Sequence, residues 1–260
     1  MRKFFKKLSI KRKLILVVFL IIVFLSSSLL ITSIYQMKSA LEENSMEIFN
    51  KKISGDIVSA NKYIQEYYGD LHIEDGDLVD SSGETVENDF DMVDDISQDL
   101  DIVATIFQKD GDDFRRITTS IKNDSGERVV GTFLGKQSAA YNPISNKELY
   151  IGNAGILGKN YLTAYDPILD KDNNVIGILF IGILQDDINQ QIAAQLRSSA
   201  FTSIAITLIA LILSILLIWI FAGKLAKSIN KVKDMLGEMS KGHLQERLKI
   251  NTKDEVGQMA

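Results

Sequence analysis

Residues 161–184 read YLTAYDPILDKDNNVIGILFIGIL. Tyr161, Thr163 and Tyr165 fall on one face of an extended segment, because side chains alternate along a strand. Asp170, Lys171, Asp172, Asn173 and Asn174 form a turn cluster. The run that follows is apolar at nearly every position, which predicts a strand buried on both faces. Strands joined by a tight turn predict antiparallel pairing. Residues 185–197 return to helical texture and lead directly into 200–222, AFTSIAITLIALILSILLIWIFA, which holds no charged residue.

A second such segment, 14–35, reads LILVVFLIIVFLSSSLLITSIY. At about 1.5 Å per residue, either segment extends roughly 33 Å as a helix, enough to cross the hydrocarbon of a bilayer. The first is longer than the apolar core of a cleaved secretory signal, and no small-x-small cleavage site follows it. Arg2, Lys3, Lys6, Lys7, Lys11, Arg12 and Lys13 precede it. Lys224, Lys227, Lys231 and Lys233 follow the second segment. Excess Lys and Arg stays on the cytoplasmic side, which predicts both termini inside and the middle outside. The chain divides into a basic tail (1–13), a first transmembrane helix (14–36), an extracytoplasmic domain (37–199), a second transmembrane helix (200–222) and a cytoplasmic segment (223–260). The outer domain carries 29 acidic and 14 basic residues. That balance argues against nucleic acid as a partner. There is no cysteine, so the outer domain is stabilised by packing without disulfides, and thiol and iron–sulfur chemistry is excluded.

Within that domain, Phe49, Ile53, Ile57, Ala60 and Ile64 recur at helical spacing. No proline separates this stretch from the first span. The spacing predicts one helix leaving the membrane and ending near Gly69 and Asp70. The apolar stripe either covers the sheet or forms a dimer contact. Candidate strands are 71–73, 78–79, 102–108, 114–121, 129–133, 149–157, 161–167 and 175–184, with turns at 109–112, 123–126 and 170–174. A short helix is expected over 90–100 and another around 135–141, before Pro143. The fold class is α+β, an antiparallel sheet with helices to one side or end.

Five motifs then follow in order: FRRITT (114–119), GERVVGT (126–132), YIGNA (150–154), GKNYLTAYDPI (158–168) and VIGILFIG (175–182). This succession resembles a single Cache sensor domain of bacterial methyl-accepting chemotaxis proteins. The resemblance implies a PAS-like fold, with a long N-terminal helix and an antiparallel sheet of about five strands cradling a small ligand. Residues 224–260 resemble the start of a HAMP linker, a parallel helical bundle that relays motion. Ile229, Val232, Met235 or Leu236, and Met239 fit the seam of its first helix. Gly242 fits the end of that helix, and Asp254-Glu255-Val256-Gly257 fits the opening of the second. The chain stops about one turn after this signature, so the linker is expected to be incomplete and the output module to lie beyond it.

Catalysis is not expected. The outer domain has one histidine, His72, no cysteine and no zinc spacing. Asp110, Asp112 and Asp113 lack calcium-loop spacing and read as a solvated turn. No metal and no cofactor is expected. Binding is better supported. Alternation from Phe114 places Arg116 beside Thr118 and Ser120. A guanidinium flanked by hydroxyls suits a carboxylate, because it donates two parallel hydrogen bonds. The alternative for Arg116 is a structural salt bridge. Tyr161, Thr163 and Tyr165 supply apolar rings with polar tips, or else plain core packing. Tyr141, Tyr150 and Lys159 complete the candidate ligand set, while Pro167 and Gly182 are assigned to backbone geometry.

The expected function is that of a homodimeric transmembrane chemoreceptor input module in the bacterial cell (inner) membrane. It binds a small extracellular ligand, such as a short-chain carboxylate, directly or through a binding protein. A shift of about 1–2 Å passes along the second span into the HAMP helix, and from there to cytoplasmic kinase-control machinery. A sensor histidine kinase or cyclase with the same front end is the alternative. An anchored domain without signalling is a third reading, against which the HAMP-like tail speaks.

Overall fold

A computed structural model of the chain describes residues 9–241. Arg2, Lys3, Lys6, Lys7, Gly242 and the 254–257 signature lie outside the described residues. Two compact units emerge, residues 39–195 and a membrane-type unit formed by the described residues of 1–38 with those of 196–260.

Helix α1 runs from Ile10–Tyr67 without interruption, as the proline-free sequence predicts. It stops where Gly69 adopts φ +64, a left-handed conformation that favours glycine. Ile53, Ile57, Ala60 and Ile64 are all buried in one cluster with Leu179 and Ile181 of the sheet, and Phe49 packs against it. The apolar stripe therefore covers the sheet, and the dimer-contact alternative for these residues is set aside.

The remaining elements are β1 (His72–Glu74), β2 (Asp77–Val79), α2 (Asp91–Leu100), β3 (Val103–Asp110), β4 (Asp113–Thr119), α3 (Tyr141–Ser145), β5 (Tyr150–Ile156), β6 (Lys159–Leu169), β7 (Val175–Leu184) and α4 (Gln185–Ser240). β1 and β2 form a small hairpin of their own. The main sheet has five strands in the order β4-β3-β7-β6-β5, and every pair is antiparallel. β7 lies at its centre. Ile178 and Phe180 point into one core cluster, Leu179, Ile181 and Ile183 into the other, so the two-sided burial predicted for this run holds.

Two expectations need correction. Residues 129–133 do not form a regular strand. They run along the open edge of β4, where Arg116 N donates to Thr132 O and Gly131 N to Arg116 O, each at 2.8 Å. Positive φ at Gly131 and Gly135 breaks the regular ladder. The helix expected near 135–141 starts instead at Tyr141 and contains Pro143. Proline is tolerated there because first-turn amides have no intrahelical acceptor.

Two bidentate ion pairs tie the periphery together. Arg115 Nη1 donates to Glu87 Oε1 at 2.5 Å and Nη2 to Oε2 at 3.2 Å. Arg128 Nη1 and Nη2 donate to the Asp94 carboxylate at 2.8 and 2.6 Å, and its guanidinium lies 4.2 Å from the Phe90 ring centroid. The arginine hydrogen bonds hold Glu87 and Asp94 below the usual carboxylate range. A depressed folded-state pKa contributes stability above the unfolded value and loses it as pH falls through the folded one. Melting temperature is therefore expected to fall below about pH 4. Glu87→Gln should flatten that decline while lowering the plateau near neutrality. An unchanged slope in circular-dichroism melts across this range would remove the pair from the account.

In the membrane-type unit, the apolar windows of α1 and α4 have mean hydropathies of 3.1 and 3.0 and are not buried. Phe24, Leu29, Ile31, Phe201, Ile212 and Leu217 all face outward. Such a surface is unsuited to water and matches hydrocarbon. Ile229, Val232, Met235, Leu236 and Met239 occupy the last part of α4.

Candidate functional site

The sheet face turned away from α1 holds a cavity of about 470 Å³. Phe107 of β3 and Tyr165 of β6 form its floor, and Phe180 of β7 packs against both. The Tyr165 and Phe180 rings lie 4.9 Å apart, and Phe107 meets Phe180 edge-on at 6.4 Å. Tyr150 and residues 153–157 make one wall, while Val129, residues 132–134 and residues 138–140 make the other. The Tyr150 ring folds over Gly152, where a Cβ would collide with its hydroxyl, so glycine at 152 sets the position of this wall.

Arg116 reaches the cavity from β4 and is 7% exposed. Its Nη1 donates to Val129 O at 3.2 Å. Its Nε is buried with no hydrogen-bond partner, and Cζ lies 5.1 Å from the Phe107 ring centroid. Among the described residues no carboxylate pairs with it. The salt bridge expected as the alternative for Arg116 belongs to its neighbour Arg115. Burial pulls the Arg116 guanidinium below its ordinary value. Burial likewise pushes the Tyr165 hydroxyl up to about 12, against the opposing pull of the Arg116 charge. A buried cation lacking a counter-ion is poorly solvated.

The expected partner Thr118 is not there. Ile106 pairs with Thr118, but Phe107 pairs with Arg116. One residue of β4, Ile117, is thus left over as a β-bulge. Opposed residues share a face, so Thr118 follows Ile106 to the α1 side and its hydroxyl donates to Asp89 O. Ser120 Oγ accepts from Ala104 N at 2.9 Å. Thr119 takes up the cavity-side face instead, its hydroxyl 2.6 Å from that of Thr105.

The other predicted residues divide. Tyr150 and Tyr165 line the cavity with Arg116. Tyr161 and Thr163 lie further along β6, outside the lining. Thr163 Oγ1 donates to Gly152 O at 2.7 Å, and Tyr161 is buried in the core. The Tyr141 hydroxyl donates to Asp112 O, and the residue lines a separate cleft of about 310 Å³. Lys159 is exposed, opposite Ile156 at the β5–β6 turn. Sequence reasoning missed Phe107, Thr132, Phe133 and Leu134. Phe107 was findable from strand pairing with Arg116, whereas residues 132–134 carry no periodic signal. The lining holds one charged side chain, Arg116, and neither carboxylate nor imidazole. Such a site can orient an anion by charge-assisted hydrogen bonds against aromatic rings.

A model of the Cache 3/Cache 2 fusion domain matches residues 30–203, and a HAMP domain model matches residues 220–260. Among solved structures, the ligand-binding domain of Campylobacter jejuni chemoreceptor Tlp3 in complex with L-valine is similar at a TM-score of 0.39. Identity there is 13%, over 65% of this chain and 67% of that one. The same domain with L-norvaline gives 0.39 and 12%, over 64% of each. The periplasmic domain of RsbU from Chlamydia trachomatis gives 0.37 and 13%, over 63% of this chain and 56% of that one. No curated protein matches.

Proposed function

The chain belongs to the Cache 3/Cache 2 fusion domain family, and from that premise we propose that it is the input half of a chemoreceptor whose outer domain binds a short carboxylate. A Cache sensor flanked by two apolar helices and followed by a HAMP segment is the layout of a transmembrane sensory receptor. The finer reading adds a chemotaxis output through cytoplasmic kinase-control machinery and both termini on the cytoplasmic side of the inner membrane. It also adds a homodimer, and binding without catalysis. A kinase or cyclase output would use the same input half.

The observation that carries the ligand assignment is the Arg116 guanidinium, buried at the cavity wall with its Nε unpartnered. A carboxylate supplies two acceptors in the plane of the fork and neutralises the charge. Tyr150 and Tyr165 stand across the cavity on β5 and β6. A ligand joining them to Arg116 draws together strands on opposite sides of β7. β7 runs into α4 with no intervening residue, so its shift is passed to the second span. The ligand biases that motion only by its differential affinity for the two states.

The test is a thermal-shift screen of residues 37–198, which contain both core clusters. The panel holds acetate, propionate, pyruvate and lactate, with amino acids and amines beside them. A ligand at a hundred times its Kd stabilises by about 2.7 kcal/mol, a rise of roughly 5–10 °C for a domain of this size. Carboxylates should raise the melting temperature and simple amines should not. A folded domain that no carboxylate stabilises, or one that responds only to amines, would overturn the assignment.

A further inference from the structure

We propose that the basic end of the two membrane helices forms a binding site for an anionic phospholipid. The inference rests on the reading of both apolar helices as membrane-crossing. Within the membrane-type unit a cleft of about 660 Å³ is walled by Leu14 and Val18 of α1 and by Leu217, Ile218, Phe221 and Lys224 of α4. Leu14 and Val18 lie one turn apart, as do Leu217 and Phe221, so the walls run along the helices into the apolar segments. The cleft is open at its side to what would be hydrocarbon. An acyl chain is the occupant of matching polarity.

The charged end selects the headgroup. Lys224 is part of the lining, one turn beyond Phe221. Lys11, one turn before Leu14, places its Nζ 4.9 Å from the Trp219 ring centroid and 3.3 Å from where a Cβ on Gly223 would stand. Glycine at 223 thus leaves room for the Lys11 ammonium against α4. Arg12, Lys13 and Lys227 flank the same end. Residues 10–38 and 196–233 contain no aspartate or glutamate, so no nearby carboxylate in these stretches neutralises the cluster. The Lys224 ammonium at the end of the apolar groove, with the Lys11 ammonium at the same level on the Trp219 side of α4, fits a lipid phosphate that carries net negative charge, and Trp219 stands at the interfacial level that indole prefers.

Trp219 is the chain's one tryptophan and is 58% exposed, so its fluorescence reads the lipid around this end of α4. The full chain is placed in phosphatidylcholine vesicles containing increasing fractions of brominated phosphatidylglycerol or brominated phosphatidylcholine. Brominated phosphatidylglycerol should quench Trp219 at a roughly tenfold lower mole fraction. The preference should vanish in the Lys11→Gln/Lys224→Gln double variant, with quenching by brominated phosphatidylcholine retained as evidence of an intact bilayer insertion. Equal quenching by the two lipids, or a preference unchanged in the double variant, overturns the proposal. Quenching by neither lipid in a chain that still floats with the vesicles also overturns it, and would mean that a second copy covers the groove. A chain that does not float would instead sink the membrane-crossing reading itself.

Discussion

An Arg116→Met domain is expected to melt higher than the parent without ligand and to lose its response to carboxylates. The two effects share one cause. Arg116 is 7% exposed, has no carboxylate partner among the described residues, and its guanidinium makes one hydrogen bond among them, to Val129 O. Replacing a buried charge by an apolar side chain of similar length is often neutral or stabilising. Here the pair that would offset its desolvation is missing, and Val129 O borders a cavity that water can enter. A gain of about 1 kcal/mol follows, or roughly 2–4 °C. Removing the charged partner of a bound carboxylate costs about 2–5 kcal/mol, a loss of affinity of thirtyfold or more. Calorimetric titration with whichever carboxylate the screen identifies, alongside melting of both proteins, checks both halves. A variant that melts lower and still binds would make Arg116 a structural residue.

Gly177→Ala is expected to be among the most damaging single-methyl additions in the sheet. Gly177 sits in the central strand between Gln108 of β3 and Ile168 of β6. A Cβ there would lie 2.6 Å from the Phe107 carbonyl oxygen. That neighbour is backbone in a paired strand and cannot rotate away, so β3 and β7 must separate. Overpacking of this kind costs about 3 kcal/mol, a fall of roughly 6–12 °C. Because Phe107 forms the cavity floor, ligand affinity should fall with it. Gly155→Ala on β5 is the control, since its nearest foreign atom is the flexible Asn160 side chain at 4.0 Å. Equal melting shifts in the two variants would remove the Phe107 carbonyl from the explanation.

Features that depend on near neighbours in the chain are legible in the amino-acid order itself. The two uncharged apolar runs, the stripe from Phe49 to Ile64, the stop at Gly69 and the doubly buried β7 each express a local period or a local backbone requirement. Arg116, Tyr150 and Tyr165 are recognisable as candidate binding residues by type, and the fold brings them to one cavity.

Tertiary structure decides the rest. Thr118 leaves the site because a bulge at Ile117 reverses the alternation, and a bulge is set by pairing with β3 rather than by β4 itself. Arg115 and Arg116 are adjacent and chemically identical. Among the described residues one has a carboxylate partner and the other has none, because Glu87, 28 residues before Arg115, reaches only the first. The wall at residues 132–134 has no period of its own and takes its shape from the edge of β4 and from left-handed turns at Gly131 and Gly135. Sequence periodicity reports which face of an element meets apolar surroundings. Which residues from distant segments meet across a cavity depends on register and pairing, and those are settled only when the strands come together.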